Sequence, residues 1–272
     1  MNGHFALRLD GETTLLDGAA GGEIFADVVE DVSGPALVIK KHLAQPEFED
    51  ITVDVGLAMS DALFDWIAAA WTAGDQPKDG ALLAVDHKFE IKTERQFTAA
   101  RIAATTIPAL DAASKAMPPL SIALTPASVT LRPGAGKLQF GNLKQRLWNA
   151  SHFRLDIAGL DCSKVSRIES FVVPGVVNGK VDFPELAITF AAVSAATWMA
   201  WFQDFVINGN NGDAAERSGQ ITFLLPNLKT ALATIDLHGL GIFRLEAVSG
   251  DPNQIARMVA GLYCEQMSLH RT

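Results

Sequence analysis

A chain of 272 residues is long enough for one large domain or for two of about 130. At 49% hydrophobic and 19% charged it can bury a sizeable core, which excludes a disordered chain. A net charge of −9 excludes a general affinity for nucleic acid or anionic lipid, because both need a basic face.

In chain order, the N-terminus MNGHFALRLDGE has no basic stretch followed by an apolar run, so no secretory signal is expected. Alternating apolar residues bounded by Gly, Pro and Asp predict strands over 4–10, 36–41, 48–56, 81–91, 96–107 and 119–131. A helix is predicted over 61–72, from a Ser60 cap to Gly74. The stretch 132–151, RPGAGKLQFGNLKQRLWNAS, holds Gly, Pro and four basic residues with no acid, and reads as a linker. Beyond it, strands return, with a second helix predicted over 195–207 between Ser194 and Gly209. Residues 186–203 lack any charge and approach the ~20 residues of a membrane span. Their period changes midway, from Leu186, Ile188 and Phe190 to Trp198, Trp201, Phe202 and Phe205, so a strand running into a buried helix is expected instead.

The two halves repeat one another. His4 to Gly11 (HFALRLDG) parallels His152 to Gly159 (HFRLDIAG), and Phe48 to Val55 parallels Phe183 to Phe190 at an offset of 135. The offset persists through Trp66 and Trp201, returns at Ile107 and Ile242, and becomes 138 in the closing segments 120–131 and 258–269. The domains expected are therefore 1–131, a basic linker 132–151, and 152–272. In the first copy the slot of the apolar stretch carries Asp54, Asp61 and Asp65, which a bilayer would not readily accept. Charge divides unevenly: 9 basic and 19 acidic residues in 1–131, four and none in 132–151, nine and 12 in 152–272.

Chemistry-bearing motifs are sparse. Cys162 and Cys264 lack CxxC spacing, and the six histidines lack any paired ligand spacing. Gly134-Ala135-Gly136-Lys137 fails as a phosphate loop, since Leu131 and Leu138 stand where Gly and Ser or Thr are needed. The Gly18–Gly22 cluster reads as a turn, and 208–213 as a helix end without the distal Glu of a calcium loop. The carboxylates Glu30, Asp31, Glu47, Glu49 and Asp50, with Lys40 and Lys41 nearby, read as paired surface charges. No catalytic residue, cofactor or metal site is expected.

The opening strand HFALRLDG, the stretch 40–67 (KKHLAQPEFEDITVDVGLAMSDALFDWI) and the stretch 97–131 resemble the tail-tube proteins of contractile-tailed phages and related phage-tail-like injection systems. FRLDIAGLDCSKVSRIESF, FVINGNNGD, LATIDLHGLGIFRLEA and IARMVAGLYCEQMSL continue the resemblance through the second copy, which makes a tandem version. The resemblance implies a mainly β (α+β) fold of two antiparallel β-barrel or sandwich domains, each flanked by one helix. It further implies a non-enzymatic structural subunit that forms rings: a trimer with pseudo-six-fold symmetry, or a hexamer. Partners would be copies of itself and other tail, sheath or baseplate proteins, in a cytoplasmic assembly or a virion or phage-tail-like particle. By position, 32–55 would be a hairpin reaching a neighbouring subunit, with Lys40, Lys41, Glu49 and Asp50 as contact residues, and 171–190 its shorter partner. The alternative is a tail-tube fold reused as a scaffold that binds a cargo or partner protein. The acidic first copy fits a lumen wall that repels acidic cargo, and equally a solubilising surface.

Overall fold

The computed structural model describes residues 4–32, 38–72, 74, 76–138, 148–248 and 255–272. It is mainly antiparallel β with few helices, the fold class expected from the sequence.

The first half opens with the hairpin β1 (His4–Leu9) and β2 (Glu12–Leu16), turned by Asp10 and Gly11, both at positive φ. Glycine adopts that conformation freely and aspartate at small cost. The chain runs on through β3 (Gly18–Gly21) into a projecting ladder of β4 (Ile24–Phe25), β5 (Val28–Asp31), β6 (Lys40–Leu43) and β7 (Glu47–Phe48). β4 pairs with β7 and β5 with β6. The return strand β8 (Ile51–Val55) buries Ile51, Val53 and Val55 and turns Thr52 and Asp54 the other way, the alternation that a half-buried strand requires.

α1 (Asp61–Ala70) starts where the Ser60 hydroxyl accepts the Leu63 N–H at 3.4 Å. Leu63, Phe64, Trp66, Ile67 and Ala70 fall on one face and are buried, worth roughly 1.5–3 kcal/mol for each large side chain. β9 (Lys78–Val85) and β10 (Ile91–Ile107) are joined by a tight turn in which Asp86 Oδ1 accepts the N–H groups of Lys88 and Glu90. The strand expected over 81–91 is therefore broken, and its last residue belongs to the next strand. After β11 (Leu110–Asp111), β12 (Leu120–Thr125) and β13 (Ser128–Pro133) lie in succession along one edge of β10. The sheet order β2-β1-β9-β10-β12-β8-β3 begins and ends on the continuous segment 12–21, which curls the sheet back on itself.

The second half is β14 (Phe153–Ile157), β15 (Val165–Ile168), β16 (Phe171–Pro174), β17 (Leu186–Ala191), α2 (Ala196–Phe202), β18 (Arg217–Leu224), β19 (Ala231–Val248) and β20 (Arg257–Arg271). The apolar stretch is the expected strand and helix, and no helix among the described residues is long and apolar enough to cross a membrane. Ser194 does not cap α2. A 3₁₀ turn over Ala192–Ser194 intervenes, and the Ser194 hydroxyl donates to Ala191 O instead. A π-helical turn, Gln203–Ile207, extends α2. Trp198 does here what Trp66 does in the first half: it is fully buried and donates its indole N–H to a backbone carbonyl, Asp161 O at 3.1 Å against Gln76 O at 3.0 Å. Trp201, the partner of Trp66 by sequence offset, instead carries the Arg217 guanidinium 4.8 Å above its ring.

β10 and β19 carry matching irregularities. The register of β10 against β12 shifts between Ile102 and Ala104, and that of β19 against β20 between Ile242 and Arg244. These strands therefore correspond at an offset of 140, five more than the sequence offset places there. One apolar core runs through both halves, from Leu7 and Ile51 to Leu262 and Leu269. Residues 139–147 of the expected linker lie outside the described residues, but Trp148 at its end is buried, edge-on to Phe223 with ring centroids 5.4 Å apart.

Candidate assembly interface

The halves are joined by main chain as well as by side chains. β16 pairs antiparallel with residues 104–107 of β10, just beyond the point where β9 ends, and β11 pairs with β15. Gly175 N–H donates to Ala103 O at 2.7 Å and the Ser170 hydroxyl to Ile107 O at 2.9 Å. Gly175 must be glycine for this approach, since a Cβ there would lie 2.2 Å from Ile102 O. Arg167 donates to Asp111 at 2.9 Å across the junction and to Glu169 on its own side, and these carboxylates hold its guanidinium firmly protonated. Val173 is 1% exposed here. At the far end, Arg271 of β20 donates to Met59 O at 2.9 Å, pairs with Asp61, and stacks 4.5 Å over Phe64 of α1.

The β4–β7 ladder has the opposite character. All eight residues of β5 and β6 are exposed, and the projection shows apolar side chains to solvent, among them Val28 at 58% and Leu43 at 72%. A two-stranded ribbon is marginally stable on its own. Of the residues expected to make contacts, Lys41 sits on β6 and pairs with Glu30 at 2.9 Å, and Lys40 faces Asp31 across the ribbon. Glu49 and Asp50 lie apart from them at its base, where Glu49 N–H donates to Glu23 O and Asp50 O accepts from Gly22. Residues 33–37 of the expected hairpin lie outside the described residues. The expected shorter partner, 171–190, holds β16 and β17, joined through an exposed turn in which Val177 and Lys180 pair across Asn178 and Gly179.

Two clefts lie beside the sheets. One of about 610 Å³ is lined by Glu12, Thr14, Asp17, Leu57, Met59 and Trp148. Partial burial, and then the charge of Asp54, push the Asp17 carboxyl above its ordinary value. The other, about 830 Å³, follows β14, a terminal strand of the second sheet. Cys162 on its wall and Cys264 in the core are free thiols, each raised to about 11 by burial, and a protonated thiol is a poor nucleophile. Among the described residues no group of three or more His, Cys, Asp or Glu could hold a metal ion.

No protein-family model and no curated protein matches the chain. Among solved structures, it is similar to the tube-terminating cap of the anti-feeding prophage, with 23% identity and a TM-score of 0.40 over 47% of this chain and 87% of that one. A chain of the extended sheath-tube complex of PVC, an extracellular contractile injection system, gives 22% identity and a TM-score of 0.40 over 47% and 88%. The sheath/tube terminator of the PVC system gives 22% and 0.39 over 47% and 92%. Each match thus spans about half of this chain and most of the other.

Proposed function

We propose that this chain is a non-enzymatic structural subunit of a phage tail or phage-tail-like contractile injection particle, and that it assembles into a ring of three or six copies. The observation that carries the reading is the main-chain junction between the halves, in which one sheet receives a strand from the next. Edge pairing of this kind removes the exposed edges that would otherwise aggregate, and repeated head to tail it closes into a ring. The projecting β4–β7 ladder supplies a second contact surface, suited to a neighbouring layer or to sheath or baseplate proteins. The halves, joined in one chain, stand for two barrels of the ring.

Mass photometry and negative-stain electron microscopy of the purified chain, over rising concentration, test this. Closed rings are the expected result; a chain that remains monomeric throughout overturns the reading. In the triple variant Val28→Ser, Val29→Ser, Leu43→Ser, rings should persist while stacks and complexes with other tail proteins are lost. Unchanged stacking would remove the ladder from the contact surface.

A further inference from the structure

Among the described residues, the in-chain junction has an unpaired counterpart in residues 22–25 and 244–247. Val53 and Ile188 occupy the same place in β8 and β17, and their partners across the sheet are Ala19 and Ile168. β3 therefore corresponds to the start of the segment that leads into β16, and residues 22–25 correspond to 171–174. On the other side, the matching bulges make residues 244–247 of β19 the counterpart of 104–107 of β10. β18 ends its pairing with β19 at Leu240, and no strand among the described residues pairs with that edge over 244–247.

The backbone polarity of both vacant segments agrees with this correspondence. In the junction, the Gly175 to Ala103 bond makes Val173 a bonding residue opposite Thr105, because bonding positions alternate along an antiparallel pair. In β4, Glu49 N–H donates to Glu23 O, so Glu23 and Phe25 bond toward β7 and Ile24 turns its own N–H and C=O outward. Ile24 is the counterpart of Val173. Val173 is 1% exposed and Ile24 is 43% exposed, with Phe243 at 41% and Val248 at 45% flanking the open edge of β19.

We infer that residues 22–25 of one copy pair antiparallel with residues 244–247 of a second copy, Ile24 opposite Leu245, reproducing between chains the joint that β16 makes with β10 within one. The inference rests on the ring reading and specifies its interface. The contact is heterologous, using a different surface on each partner, so it propagates until it closes. Glu23 comes to lie opposite Glu246, each beside an arginine of its own chain, Arg95 at 2.5 Å and Arg244 at 3.8 Å. The pairing ends at Phe25, because Ala26 stands where Gly175 makes its close approach. Gly18 stands where Arg167 makes its ion pair with Asp111, so the joint between chains is the weaker of the two.

Cysteine cross-linking with the full chain tests the register. Bonded antiparallel pairs hold their Cα atoms about 5.5 Å apart, within disulfide reach. An affinity-tagged Ile24→Cys chain mixed with an untagged Leu245→Cys chain under mild oxidation should give one tagged–untagged dimer. Neither variant alone should give a dimer, and the double variant should give a covalent ladder that ends at the ring size. Circular dichroism and a melting curve establish that each variant folds. Rings by electron microscopy without the mixed dimer would overturn this register and leave the ring reading standing. Absence of both rings and cross-links would overturn both, and an efficient dimer from Ile24→Cys alone would replace the head-to-tail contact with a two-fold one.

Discussion

Thr105 lies at the centre of the in-chain junction, fully buried, and its hydroxyl has no hydrogen-bond partner among the described residues. A buried hydroxyl left unpaired costs free energy that a methyl group of the same shape does not. Thr105→Val is expected to raise stability by about 1 kcal/mol in urea unfolding, at an unchanged m-value. A fall in stability would reveal a partner for the hydroxyl. Gly241 shows the converse, a position where nothing larger fits: the Tyr263 ring lies across it, with its nearest atom 2.1 Å from where a Cβ would be. The Tyr263 hydroxyl donates to Glu216 at 2.7 Å, and burial followed by that carboxylate pushes its pKa up to about 12.

At the scale of elements, the C-terminal strand is tied to the first helix by one side chain. Arg271 combines a carbonyl hydrogen bond, an ion pair with Asp61 and a stack over Phe64. Arg271→Ala is expected to cost about 1–2 kcal/mol of stability, read from denaturant unfolding, and Arg271→Lys to recover only part of it. A loss below about 0.3 kcal/mol would mean that solvent already weakens the clasp to the level of an ordinary surface pair. The elements themselves were largely legible in the sequence, because the alternation in 51–55 and the Ser60 cap before an apolar helical face are local signals. The bulge after Ile102 has no glycine or proline to announce it, and the one after Ile242 has Gly241 beside it but no matching glycine in the first half, which is why the sequence offset of β19 misses by five. The pairing of β16 with β10 joins residues 67 or so positions apart and is set by how the halves dock, so no local pattern carries it. Lys40 and Lys41 were placed in a hairpin by position and lie on β6, whereas no local pattern in the sequence singles out Ile24.

For the whole molecule, charge opposes association. The chain carries −9, and residues 1–131 contribute 19 acidic against 9 basic side chains. Raising ionic strength from about 10 mM to about 150 mM shortens the screening length from about 30 Å to about 8 Å. Ring formation is therefore expected to shift to lower protein concentration over that range, as followed by mass photometry; a shift the other way would mean that attraction between unlike charges drives assembly. The junction within each chain has a further consequence, one of parity. In the proposed ring, a chain that always brings two barrels would give an even number of them, so rings of five or seven barrels, the near neighbours of six that small errors of curvature would otherwise produce, would be excluded by covalent connectivity alone.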